Sequence, residues 1–191
     1  MTDTATGLRP SPGKEYRLVP HPDFVSTAVT EIAVSADLLG SALSLQYRLS
    51  GAMDRVAWPR PIEPSRADNL WQRTCFEAFV GHPQEGYFEY NFSPSGQWAT
   101  YFFDWYRDGM RPATWLSEPT IHVVQPDMFC LTAKIDLTDH WTSGDRCLGL
   151  SAVIEETDGT KSYWALAHAP GPPDFHNRDC FTATLPAPDP S

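Results

Sequence analysis

Positive charge is scarce in this sequence. Fourteen Lys and Arg stand against 24 Asp and Glu, for a formal net charge of −10. A field of that sign repels nucleic acid and anionic lipid, so neither is an expected partner. Long apolar runs are missing too. No stretch approaches the ~18 residues of a membrane span. The first residues, MTDTATGLRPSPGK, lack the basic-then-apolar order of a secretion signal. None of the four cysteines (Cys75, Cys130, Cys147, Cys180) forms a CxxC pair. Zinc on cysteine is therefore not expected, and free thiols in a reducing, cytoplasmic setting are. GxSxG, HExxH and a phosphate-cradling glycine loop are all absent. So is any long amphipathic helix or repeat.

What the sequence has instead is short β-forming runs separated by turn residues. The densest stretch is Trp71 to Phe103, WQRTCFEAFVGHPQEGYFEYNFSPSGQWATYFF. Its turn clusters are Gly81–Gly86 and Ser93–Gly96. Runs of this length between Gly, Pro, Asn and Ser read as antiparallel strands in hairpins. Upstream, Leu43, Leu45, Tyr47 and Leu49 alternate with polar residues, which predicts a strand with one buried face. Val29–Val34 reads as another of the two or three strands between Glu15 and Gly51. Residues 58–64 carry three prolines and cannot be a central strand, because each removes a ladder donor. They read as a loop that delivers Trp71 to the start of a strand, a common place for binding residues.

Downstream, 104–112 reads as a loop and Ile121–Val124 and Met128–Leu137 as strands around a Pro126-Asp127 turn. Leu137–Trp141 reads as a short helical turn. Leu148–Glu155 and Ser162–His168 form a hairpin across Asp158-Gly159. Residues 169–178 are a Pro- and Gly-bearing loop, and Phe181–Leu185 is a last strand. At 191 residues this is one domain. The expectation is an all-β antiparallel β-sandwich, jelly-roll or immunoglobulin-like, over 15–186, with disordered tails at 1–14 and 187–191.

Four side chains stand out as ligand-binding candidates. Trp71 is followed at once by polar residues (Gln72, Arg73, Thr74), so its face is placed to stack on a flat ligand rather than to fill a core. Trp164 precedes a loop and offers a second face. Glu77 alternates with Phe76 and Ala78, so it shares a strand face with Cys75 and Phe79. Asn91 lies two residues from Glu89 on one face of the next run. A hairpin brings that row beside Glu77. A carboxylate and an amide together can read vicinal hydroxyls. Glu77 and Glu89 are also the one carboxylate pair a glycosidase could use, and Cys75 would need His168 or His176 as a base to act as a nucleophile. His168, Asp174, His176 and Asp179 match no standard metal spacing. No catalytic residue and no metal ligand is assigned.

The pieces Cys75-Phe76-Glu77-Ala78-Phe79-Val80 and Tyr87–Trp98 (YFEYNFSPSGQW) resemble the DOMON-like domains related to family 9 carbohydrate-binding modules. Leu148–Glu155, Ser162–His168 and Pro173–His176 resemble their bacterial branch. The resemblance implies an antiparallel sandwich that binds a small saccharide, or haem in other branches. It implies Trp71 and Trp164 as a tryptophan clamp, with Glu77 and Asn91 reading hydroxyls. Structural calcium can accompany such modules. In the haem alternative the axial ligands would come from Met110, Met128, His122 or His168. A polar small molecule is thus the expected partner. A surface that meets another protein is the remaining alternative.

Overall fold

Strand β3 (Ala42–Gly51) shows how the chain chooses its faces. Leu43, Leu45, Tyr47 and Leu49 are fully buried, while the residues between them reach the surface. The same alternation runs through β2 (Val29–Leu39) and β9 (Phe129–Asp136). A strand with period-2 burial can only lie on a two-faced sheet, one side on the core and one in water. In the computed structural model these three strands pair in the order β2–β3–β9, with β8 (Thr120–Val124) at the edge and β1 (Lys14–Pro20) beside β2. The structure describes residues 13–82, 85–124, 128–138, 141 and 143–187. Most of both sequence-read tails, the Pro126-Asp127 turn, Pro83-Gln84 and the middle of the 137–141 turn lie outside these residues.

The second sheet carries the dense stretch. It runs β7 (Arg111–Pro112), β6 (Trp98–Phe103), β5 (Tyr87–Phe92), β4 (Cys75–Gly81), β10 (Arg146–Glu155) and β11 (Lys161–Ala165), with β12 (Ala183–Leu185) on the far half of β10. All strand pairs are antiparallel. Strand β1 joins the two sheets, because Lys14–Leu18 pair with β2 while Val19 and Pro20 pair with β11. The result is one curled antiparallel sheet folded on itself as a sandwich, as the turn spacing predicts. Helical structure among the described residues is limited to three 3-10 turns, at Met53–Arg55, Leu70–Gln72 and Arg178–Cys180.

The main core lies between the layers. Phe76, Ala78 and Val80 from β4 and Phe88, Tyr90 and Phe92 from β5 belong to one buried cluster with the β3 row and Leu131, Ala133 and Ile135 of β9. Tyr47 crosses this core and donates a hydrogen bond to the carbonyl of Glu77 at 2.7 Å, both groups buried. Removing it by Tyr47→Phe should cost about 1–2 kcal/mol, because the carbonyl loses its partner away from water. Urea denaturation with an unchanged slope would measure it. A midpoint equal to the wild type's would show that this bond does not contribute.

Strands β4, β5 and β10 differ from β3 because nearly every residue in them is buried. Their second face is covered as well. Phe79, Tyr87, Tyr101 and Phe103 form a separate cluster there with Cys180 and Phe181. Phe181 lies so close to β10 that a Cβ on Gly149 would sit 2.5 Å from its ring. Glycine is thus what lets the 169–181 segment lie flat on the sheet. That segment covers part of the face and leaves the rest open.

Candidate functional site

The open part of that face is a cleft of about 880 Å³, within the roughly 300–1,000 Å³ of ordinary small-molecule sites. Its floor follows from register. Glu77 is opposite Ser151 on one side and Asn91 on the other, and Phe79 is opposite Glu89. Paired residues share a face, so Glu77, Glu89, Asn91 and Ser151 all project away from the main core. Glu77 and Glu89 are diagonal neighbours on adjacent strands, and both line the cleft.

Both carboxylates are buried, at 2% and 5% exposure. Ser151 Oγ donates to Glu77 Oε2 at 2.8 Å, and Asn91 Nδ2 donates to Glu89 Oε1 at 2.7 Å. Burial raises both acids, Glu77 to about 8, with the neighbouring Glu89 charge adding to the effect, and Glu89 to about 7. Hydrogen bonding and the charge of Arg107 pull the other way without cancelling it. Near neutral pH the pair therefore keeps at least one proton, the behaviour expected of neighbouring carboxyls in low dielectric.

Loops supply the walls. The proline-bearing segment runs beside β6, with Trp98 N donating to Ser65 O at 3.1 Å and Ala67 N to Trp98 O at 2.9 Å. It then turns through Asn69, in the left-handed region at φ 62°, into the 3-10 turn that holds Trp71 at the cleft. Trp71 is 50% exposed, so its indole face is available to a ligand. Asp68 is held by Arg66 at 2.7 Å and by the Tyr101 hydroxyl.

The 104–110 loop brings Arg107, also left-handed at φ 52°. Its guanidinium donates to Asp174 Oδ1 at 2.8 and 3.1 Å, and the Tyr106 hydroxyl donates to Oδ2 at 2.7 Å. The Arg107 amide donates to the Tyr87 hydroxyl at 3.2 Å, and that hydroxyl is hydrogen-bonded to His176 Nδ1 at 2.7 Å. This leaves the other ring nitrogen of His176 toward Glu89, at 3.8 Å. Burial, then the Arg107 charge, lower the imidazole to about 4, so it is neutral at pH 7.

The four candidates from the sequence divide. Trp71 and Glu77 line the cleft together. Asn91 is on the same face but is 1% exposed, bonded to Glu89 and to the Cys75 thiol. It orients the carboxylate and does not itself line the cleft. Trp164 is a correction to the expected clamp. It is 3% exposed, belongs to the main core and donates to Ser162. The reason is parity, since Tyr163 pairs with Val153 on the cleft face and Trp164 must point the other way. Tyr163 lines the cleft, edge-on to Phe24 with centroids 5.2 Å apart.

Cys75 is buried, and burial pushes its thiol well above the usual range. That is the opposite of an activated nucleophile. Of the four haem-ligand candidates, Met110 alone lines the cleft; Met128 lies at a separate surface hollow, and His168 is bonded to the Val19 carbonyl at 2.9 Å. Among the described residues no three His, Cys, Asp or Glu cluster in a way that could hold a metal ion.

Similarity to solved structures agrees with this architecture. A candidate carbohydrate-binding protein from Bacteroides uniformis superposes with TM-score 0.64 at 14% identity, over 92% of this chain and 86% of the other. A family 9 carbohydrate-binding module from Caldicellulosiruptor kristjanssonii, solved with cellotriose, gives TM-score 0.54 at 10% identity over 94% and 84%. The chain has the fold of a carbohydrate-binding module. No protein-family model matches the sequence, and no curated protein does. At these identities the likeness establishes the module fold, and the chemistry must be argued from this cleft's own residues.

Proposed function

We propose that the protein is a non-catalytic binding module for a small saccharide. The observation that carries this reading is the composition of one cleft. A half-exposed indole, Trp71, stands with Tyr101, Phe103 and Tyr163 around two carboxyls, Glu77 and Glu89. A sugar ring needs both kinds of surface. Its C–H face packs on an aromatic ring, and its hydroxyls donate to and accept from fixed polar groups. Glu77 and Glu89 are held by Ser151 and Asn91, so they are positioned before the ligand arrives and little ordering cost remains. The solved module with cellotriose supports a saccharide ligand for this fold.

Calorimetry with a panel of mono- and disaccharides tests the reading. Trp71→Ala should weaken binding by at least about tenfold, the loss of one aromatic platform. Its melting temperature should stay within a degree or two, since a half-exposed side chain contributes little to folding. Silence across the panel, or undiminished binding by Trp71→Ala, would remove the proposal.

A hydrolase reading has one observation in its favour, a carboxyl pair with raised proton affinity in a cleft. It predicts slow turnover of aryl glycosides that Glu77→Gln abolishes. Equal release by the wild type and that variant would dismiss it.

A further inference from the structure

The charges around the cleft do not balance. Asp68, Glu77, Glu89 and Arg107 line it. Arg66 neutralises Asp68, and Asp174 neutralises Arg107. His176 lines it too and is neutral at pH 7. Among the described residues no Lys or Arg pairs with Glu77 or Glu89, and Arg107, whose charge reaches both, is committed to Asp174 in a two-point contact. Each carboxylate spends one oxygen on Ser151 or Asn91. Among the described residues the Glu77 Oε1 and Glu89 Oε2 atoms accept no hydrogen bond. Two adjacent carboxylates, nearly buried and with acceptors unspent, form a strong site for a positive charge. The half-exposed ring of Trp71 adds attraction for a cation that neutral ligands do not feel.

We propose that the cleft selects a saccharide carrying a protonated amino group, with the ammonium seated between Glu77 and Glu89 and the sugar ring on Trp71. This rests on the saccharide reading and narrows it to amino sugars. The protein's net charge of −10 assists the encounter of such a ligand. A neutral sugar at the same place would leave the pair's proton where it is. An ammonium makes both carboxylates ionise, so the proton they held passes to the buffer on binding.

The test is calorimetry at pH 7 and low salt with three probes: the β-1,4-linked disaccharide of glucosamine, its N-acetylated form, and cellobiose. The amino disaccharide should bind roughly tenfold or more tightly than the other two, the usual advantage of a charge-assisted hydrogen bond. Its binding enthalpy should vary with the ionisation enthalpy of the buffer, reporting proton release, while that of cellobiose should not. Glu77→Gln and Glu89→Gln should each erase the preference for the amino disaccharide over cellobiose; the buffer dependence needs no variant and stands if either fails to fold. Equal or tighter binding of the uncharged disaccharides would overturn the amino-sugar preference and leave the saccharide module standing. Binding of none of the three would remove both.

Discussion

Replacing Glu156 by alanine is expected to lower the melting temperature by about 10 °C, the largest single-residue effect foreseen on folding. Glu156 follows β10 and is 3% exposed. Its carboxylate accepts from Ser26 Oγ at 2.8 Å, Thr27 N at 2.7 Å, Thr27 Oγ1 at 2.6 Å and Ala28 N at 3.1 Å. Arg55 approaches to 3.7 Å. Burial alone would raise this acid, but the bonds from Thr27 and Ser26 outweigh it and hold the carboxyl below its usual range. One side chain thus anchors the entry to β2 onto the end of the β10–β11 hairpin. Alanine would leave two backbone donors and two hydroxyls unsatisfied in a mostly dry site, at roughly 3–5 kcal/mol. Glutamine keeps one acceptor and should lose about half as much. The anchored loop also carries Phe24, which packs on Tyr163 in the cleft, so ligand affinity should fall too. Thermal unfolding followed by circular dichroism checks this. A shift under about 2 °C for alanine would show that water replaces the carboxylate at little cost.

How legible these features were depends on which faces each strand buries. The β3 row is plain in the sequence because one side meets core and the other water. The register of the dense stretch is legible for a different reason. Strands β4 and β5 are buried on both faces, so hydrophobicity alternates weakly, but Glu77, Glu89 and Asn91 mark the cleft side as polar exceptions. The bounds of β2 were not legible. It extends to Leu39, because Asp37 and Leu38 still pair with Ser44 and Leu43 around the turn at Gly40, with φ 59°. Two-residue β7 was read as loop, since a Pro-bearing edge strand has no pattern of its own.

The site was legible at its floor and not at its walls. In Ser162-Tyr163-Trp164-Ala165 an aromatic falls on each face, and only the pairing with β10 decides which one sees the cleft. Sequence favoured the larger ring, and parity selects Tyr163. Tyr101 and Phe103 were visible as an i, i+2 pair in Trp98–Phe103, on the same face as Glu89 once β6 is docked. Arg107, Phe24 and Phe175 come from loops whose approach no local pattern encodes. Glu156 gave a faint signal as the second of two acids before the Asp158-Gly159 turn. Its partners are 128–130 residues away in sequence, so nothing local pointed to them.

The raised proton affinity of the cleft floor makes a second large effect, on how stability depends on pH. Glu77 and Glu89 have folded-state proton affinities raised to about 8 and about 7, from an ordinary 4.5. A carboxyl whose folded value lies above its unfolded one holds its proton more tightly when folded. Its contribution is complete below about pH 4.5 and is lost as pH rises through the folded values. The wild type should therefore lose stability between pH 6.5 and 8.5, by about 2–3 kcal/mol when one to two protons separate the two states. That corresponds to a fall of roughly 5–10 °C for a chain this size. His176, lowered to about 4, acts with the opposite sign, since its contribution is present above the unfolded value of 6.5 and fades below it. Glu156 and Asp174, held low by their hydrogen bonds, lose their contributions only toward acid. Above pH 6.5 the cleft pair is thus left as the main source of slope. The double variant Glu77→Gln/Glu89→Gln keeps the shape and removes the titration, so its melting temperature should be flat across that window and exceed the wild type's at pH 8.5. A wild-type profile that is already flat, or a double variant with the same slope, would mean that the two carboxyls ionise in the folded cleft as easily as in water, and the case for an empty cation seat would lose its electrostatic basis.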